Sequence, residues 1–157
     1  MKDKTLKNIK LCCCIALAFC FVWLVLLIKN SFNLLGSNVS SLSVNWTVNT
    51  TLKIFVLACY LLGNVAMIVL CMKAVFNTLS GLRENSVFPR SNEKLMFWIA
   101  LADFVFLLGV WNLQILWNDN LVFALTHDNF VTPFFLLFFA FMYKVAADAV
   151  EENNLTI

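Results

Sequence analysis

The chain has 157 residues, of which 62% are hydrophobic and 13% charged, whereas soluble domains average roughly 25% charged. It holds 16 Phe and 5 Trp against 4 Gly and 2 Pro, a balance that excludes disordered and collagen-like chains. The formal net charge is only +2, and the basic residues form no stripe interleaved with aromatics, so we expect no direct contact with nucleic acid. The composition therefore predicts an integral membrane protein, with the lipid bilayer as its surroundings.

Four continuous apolar runs follow one another along the chain, and each is long enough for a transmembrane helix of about 20 residues. The runs do not alternate apolar and polar residues, which favours helices over barrel strands. The first run exceeds the 7 to 15 apolar residues usual in a signal peptide, so we interpret it as a retained helix. The predicted spans are about 11–28, 54–71, 95–117 and 130–147. We therefore predict an all-α fold, a four-helix membrane bundle that forms a single domain over residues 1–157.

The basic residues predict the orientation of the bundle, because cytoplasmic flanks carry an excess of Lys and Arg. With the N-terminus inside, only Lys29 and Lys53 are external. The basic residues that are then cytoplasmic are Lys2, Lys4, Lys7, Lys10, Lys73, Arg83, Arg90, Lys94 and Lys144. The last predicted external loop, 118–129, contains neither Lys nor Arg. Both termini are therefore predicted to be cytoplasmic.

Asp103 is the only formal charge well inside a predicted span. A charged side chain there costs at least about 2.5 to 3.5 kcal/mol on insertion scales, so it is a candidate functional residue. At 1.5 Å per residue, Asp103 is about 12 Å from Leu95, and Asn64 is about 10 Å from Cys71. The matching depths predict an intramembrane polar pair, Asp103 and Asn64.

Helical spacing places Gln114 on the face of Asp103, and Tyr60 on the face of Asn64. We predict that this polar face, with Gln114 and Tyr60, points into the bundle. Two interpretations stay open for it. One is a hydrogen bond between helices, from a protonated Asp103 to Asn64. The other is a proton or cation site in a small transporter or channel centred on Asp103, with several copies of the chain assembled because four helices enclose little volume.

No arrangement of side chains predicts catalysis. The chain has one His, and no nucleophile, base and orienting acid stand in a plausible constellation. Six cysteines lie inside apolar runs, at positions 12, 13, 14, 20, 59 and 71. None shows the Cys-x-x-Cys spacing of a redox or zinc pair, so we expect them to pack as small apolar side chains. We therefore predict no enzyme, no cofactor and no metal site.

The loop from Asn77 to Lys94 and the tail from Glu151 to Ile157 carry short motifs. In the loop, Phe88 is followed by Asn92 with a proline between them, and the tail reads Glu-Glu-Asn-Asn-Leu-Thr-Ile. Over the whole chain, this pattern resembles the bacterial four-helix membrane family catalogued as domain of unknown function 2975. Members of that family typically show Gly-x-x-Phe-Ser-x-x-Asn in this loop. Asn85 stands where they have the glycine, and Asn154 where the tail is usually acidic.

The resemblance implies a multi-pass protein of the bacterial inner membrane without established activity. Family genes commonly lie beside a small helix-turn-helix transcription regulator, which implies a regulatory or adaptor protein with that cytoplasmic DNA-binding regulator as its partner. The candidate docking residues on the cytoplasmic side are Phe88, Asn92, Glu151 and Glu152. The alternatives are the transporter or channel centred on Asp103, and an immunity protein that binds a membrane-active toxin.

Overall fold

The computed structural model describes residues 3–35, 44, 46–83 and 88–155, and in this part of the chain it contains helices and no strands. Its long helices are α1 (Asp3–Leu35), α2 (Thr50–Arg83), α3 (Glu93–Asn112) and α4 (Asp128–Leu155). Short 3-10 turns occupy Arg90–Asn92 and Leu113–Leu116. All four helical segments are long and apolar enough to cross a membrane. The all-α prediction and the number of candidate spans are therefore confirmed.

Most of the helices are longer than the apolar runs that predicted them. α1 has 33 residues and α2 has 34, so each is about 50 Å long at 1.5 Å per residue, well beyond a hydrocarbon core of about 30 Å. The helical turns beyond the apolar runs contain Lys, Asn, Thr and Ser. A membrane-spanning helix can carry such polar residues where it extends beyond the hydrocarbon core. α3 is the exception, because its α-helical part ends at Asn112 and the chain continues as a 3-10 turn.

Neighbouring helices run antiparallel. α1 lies on α2, with Trp23 bonded to Asn64 and Leu27 clustered with Tyr60. α2 lies on α3, where Gly63 meets Phe106. Phe97 and Phe104 of α3 contact, respectively, Phe141 and Phe130 of α4. Asp3, Arg90 and Leu155 consequently lie at one end of the bundle, which we call the terminal end. Leu35, Thr50 and residues 113–127 lie at the other, which we call the loop end.

Two glycines let α2 and α3 approach unusually closely. A Cβ atom added to Gly63 would lie 2.5 Å from the Cα and the amide nitrogen of Phe106. One added to Gly109 would lie 2.5 Å from the Cα of Tyr60 and still closer to its nitrogen. Small residues permit such backbone contact in lipid, where association depends on van der Waals packing.

Buried polar side chains close the loop end. Lys53 is fully buried and forms an ion pair with Asp119. Asn112 bonds the main chain of Ala124 twice, donating to its carbonyl at 3.0 Å and accepting from its amide at 2.8 Å. Asn129 donates to the carbonyl of Leu107 at 3.1 Å. These bonds attach the connection between α3 and α4 to the ends of both α2 and α3.

Candidate functional site

Asp103 lies on α3 in the interior of the bundle, and only 6% of its surface is exposed. Its Oδ2 atom is buried and has no hydrogen-bond partner among the described residues. Cys71 of α2 lies within electrostatic range of it. A buried carboxyl oxygen without a donor is rare in native proteins and requires an explanation, such as a proton or a ligand.

Asn64 is buried as predicted, but its amide is directed elsewhere. Its Oδ1 accepts a hydrogen bond from Trp23 Nε1 at 3.0 Å, and its Nδ2 donates to the carbonyl of Tyr60 at 2.9 Å. The predicted hydrogen bond between Asp103 and Asn64 is therefore not formed in the described part of the chain. The physical reason is the direction of the Asn64 side chain, which is bonded to Trp23 of α1, and not the depth of Asn64 in the bundle.

The register of the two helices gives the same result. Gly63 lies opposite Phe106, and Gly109 lies opposite Tyr60. One turn further along, this antiparallel register places Asp103 opposite Ala66. Asn64 is only two residues away, a rise of about 3 Å. The two polar residues therefore share a depth without sharing a contact.

Only half of the predicted polar face points inward. Tyr60 is 9% exposed and belongs to an apolar core cluster. Gln114 is exposed, so its placement on an inward face was wrong. α3 ends before Gln114, and the 3-10 turn at Leu113–Leu116 changes the angle between successive side chains, so helical spacing no longer applies there.

Asn92 is the second predicted site residue whose role the structure changes. It is fully buried, so it is not available for docking. Its Nδ2 donates to the carbonyl of Ala74 at 2.9 Å and to Thr78 Oγ1 at 3.0 Å, while its Oδ1 accepts from Asn77 Nδ2 at 2.9 Å. A side chain at the start of α3 thereby bonds to the last turns of α2. Asn92 is a structural link between two helices at the terminal end.

Phe88 lies on the surface of the terminal end, with 37% of its area exposed. Its ring packs edge-on against Tyr143 of α4, with 5.5 Å between ring centroids. The Tyr143 hydroxyl donates to the carbonyl of Pro89 at 3.1 Å. Two contacts from one α4 residue therefore fix the position of the exposed ring.

The predicted acidic tail is part of α4, which continues to Leu155. Arg90 contacts Asp148 at 3.2 Å and Glu151 at 2.7 Å, and Lys144 lies 3.6 Å from Glu93. Glu151 and Glu152 are both exposed, so this half of the predicted docking surface is accessible. Its carboxylates are held on a helix and partly neutralised by Arg90.

Sequence reasoning missed two residues that organise these sites. Trp23 stands in an apolar run, and the sequence alone does not show which acceptor its indole N–H reaches. The acceptor, Asn64 Oδ1, is known only once α1 is placed on α2. Tyr143 is polar at its tip and lies four residues before the predicted span 130–147 ends, near the position typical of residues that bridge lipid and water. That position was a usable signal.

Metal binding finds no support in the described ranges 3–35, 44, 46–83 and 88–155, where no group of three His, Cys, Asp or Glu side chains could hold an ion. Parts of the loop and tail motifs lie outside those ranges, namely residues 84–87, which include Asn85, and residues 156–157. The side chain of Asn154 is likewise not described. Comparison with protein-family models, with curated proteins and with solved structures finds no match to this chain.

Proposed function

We propose that this chain is a non-catalytic adaptor of the bacterial inner membrane that holds a cytoplasmic helix-turn-helix regulator at its terminal end. The observation that carries the proposal is the exposed Phe88 ring, which Tyr143 of α4 fixes at the terminal end of the bundle. Aromatic side chains that are already held in position make good anchors, because binding then costs little conformational entropy. The motif resemblance to domain of unknown function 2975 supports the same partner.

Charges around Phe88 supply the second half of the proposed interface. Glu151 and Glu152 are exposed in the last turns of α4, and Glu151 pairs with Arg90. A DNA-binding regulator is basic, and complementary charge steers such a partner toward an acidic surface. Because Arg90 pairs with Asp148 and Glu151, the acidic surface is partly neutralised, and we assign most of the affinity to Phe88.

The adaptor function requires the terminal end to face the cytoplasm. Its support is the excess of basic residues in the segments that form this end. Single cysteines at Ser91 and at Asn120, introduced into a cysteine-free chain, test the orientation with a membrane-impermeant thiol reagent. We expect labelling of intact cells at position 120 only, and labelling at position 91 after permeabilisation. Labelling of position 91 in intact cells would contradict the proposed orientation.

Partner capture tests the interface itself. With the full chain as bait, we expect a helix-turn-helix protein to be retained from the cytoplasmic fraction of the source cell. Phe88→Ala should weaken its binding by about 10- to 100-fold, the usual range for an anchor residue. Phe32→Ala is the matched control, because Phe32 is equally aromatic, 71% exposed and at the loop end.

Salt dependence separates the two contributions. The double variant Glu151→Gln, Glu152→Gln should bind more weakly than the parent at low salt, and the difference should shrink once the Debye length falls below about 10 Å. A partner that binds all variants equally at both salt concentrations would contradict the adaptor proposal. Retention of a membrane-active toxin instead of a regulator would support the alternative of an immunity protein.

A further inference from the structure

One face of α2 carries five polar or ionisable side chains, with buried apolar side chains such as Val56 and Met67 between them. Their spacing is seven, four, seven and seven residues, which places them on the same side of a helix. The positions are Lys53, Tyr60, Asn64, Cys71 and Thr78, and we call them the α2 polar stripe. Its ends are 25 residues apart, a rise of about 37 Å, which exceeds a hydrocarbon core of about 30 Å.

At each end of the α2 polar stripe, a side chain is bonded to a polar group of another segment. At the loop end, Lys53 pairs with Asp119. At the terminal end, the Thr78 hydroxyl accepts a hydrogen bond from Asn92. The α2 polar stripe therefore extends from the loop end to the terminal end of the bundle.

Asp103 lies against the middle of this stripe. The helix register places it opposite Ala66, between the levels of Asn64 and Cys71. Cys71 is within electrostatic range of both Asp103 and Cys20. From α4, the apolar side chain of Leu136 packs against the core cluster that contains Ala102. The titratable group within electrostatic range of Asp103 is thus Cys71 of α2, which interacts in turn with Cys20 of α1.

Nothing in the described part of the chain balances a negative charge on Asp103. Its Oδ2 receives no hydrogen bond, and the amide of Asn64 is occupied by Trp23 and Tyr60. Lys53 lies at the loop end in its pair with Asp119. A buried carboxylate needs a cation or several donors, whereas a carboxylic acid needs only its own proton.

We propose that Asp103 is a proton-binding site and that the α2 polar stripe passes protons between the two ends of the bundle. A proton arriving from one end leaves a hydronium ion or a hydroxyl or thiol group of the stripe, and it forms an O–H bond with the Asp103 carboxylate as the donor's bond to it breaks. On release, the Asp103 O–H bond breaks as the proton binds a water molecule or a stripe group toward the other end. The electrochemical proton gradient across the membrane drives the transfer. This activity goes beyond the adaptor function and does not depend on a bound regulator.

Trp23 acts in this proposal as a positioning residue. Its indole N–H holds the Asn64 amide toward α1 and so keeps that amide off the carboxyl group. Trp23→Phe retains a ring to pack against Phe106, which Trp23 contacts at 6.3 Å between centroids, and removes the N–H donor. The Asn64 amide is then free to turn toward Asp103 and change how the carboxyl group holds its proton.

Proton flux into vesicles tests the proposal directly. The full chain is reconstituted in vesicles that contain a pH-sensitive dye, and a potassium gradient with valinomycin supplies the driving potential. We expect flux above that of protein-free vesicles, and its loss to that level in Asp103→Asn. Asp128→Asn is the control, because Asp128 is an exposed acid outside the stripe, and its flux should equal the parent's. Parent flux no larger than that of empty vesicles, or full flux in Asp103→Asn, would overturn the proposal, as would a flux of sodium in place of protons.

Infrared spectroscopy gives a readout that a merely structural Asp103 would not share. At neutral pH, the parent should show the carbonyl stretching band of a protonated carboxylic acid, and this band should be missing from Asp103→Asn. In Trp23→Phe the band should shift, because the released amide now bonds to the carboxyl group. A parent spectrum without the band would overturn the assignment even if Asp103→Asn failed to fold.

Discussion

Gly63→Ala is expected to destabilise the bundle by about 1 to 3 kcal/mol, the usual range for forcing a methyl group into a packed interface. The added Cβ would lie 2.5 Å from backbone atoms of Phe106, and backbone cannot move aside as a flexible side chain can. α2 and α3 must therefore separate. Thermal unfolding of the purified protein in detergent, followed by tryptophan fluorescence and by loss of the folded peak in gel filtration, measures the effect.

Gly109→Ala should behave in the same way, because its Cβ would meet the backbone of Tyr60. Val65→Ala is the matched control. It changes a residue on the same helix that is 48% exposed on the outer surface of the bundle, and we expect it to alter the free energy of unfolding little. If Gly63→Ala and Val65→Ala unfolded at the same temperature, the close approach of α2 and α3 would be contradicted.

Asn92→Ala is the second change with a large expected effect. It removes three hydrogen bonds from a fully buried side chain, to Ala74, Thr78 and Asn77. Each is worth about 1 kcal/mol net, and the partners left buried without a donor or acceptor add to the loss, so we expect about 2 to 4 kcal/mol. Calorimetry or thermal unfolding in detergent measures this.

The same variant has a functional consequence under the adaptor proposal. Asn92 fixes the start of α3 on α2, and the neighbouring segment carries Phe88 and Pro89 against Tyr143. Loosening it should therefore weaken partner capture even at temperatures where the helices remain folded. Asn30→Ala is the control, because Asn30 is an exposed asparagine on α1. Equal stability of the two variants would show that the Asn92 bonds contribute nothing.

The number and the kind of elements followed from local physics. A run such as Leu11 to Ile28 must satisfy every backbone N–H and C=O within its own segment once it is in lipid, and only a helix does so in a continuous apolar run. Hydrophobicity is a property of each residue and its near neighbours, so the four helices were predictable without a partner structure. The helix ends were not predictable in this way, because polar turns such as the one containing Lys7 and Lys10 are helical although they lie outside the apolar run.

The direction of each polar side chain depended on the tertiary structure. Depth along a helix can be counted from the sequence, and the counts for Asp103 and Asn64 agreed. Whether the two side chains touch could not be predicted in this way, because it depends on how α2 is rotated about its axis relative to α3. Gly63 and Gly109 set that rotation through backbone contact. That rotation turned Asn64 toward Trp23 and left Asp103 Oδ2 without a hydrogen-bond partner among the described residues.

The terminal end shows the same division. From the sequence, Phe88 and Asn92 were equally good candidates for docking, because they lie four residues apart in the same polar loop. Their difference in burial arises from the last turns of α2 and from α4, which cover Asn92 with Ala74 and Thr78 and leave Phe88 on Tyr143 at the surface. Composition and local pattern determined that the described part of this chain forms four apolar helices. Only the packing of those helices decided which polar groups are buried, bonded or exposed, because burial is a property of neighbours that are distant in the sequence.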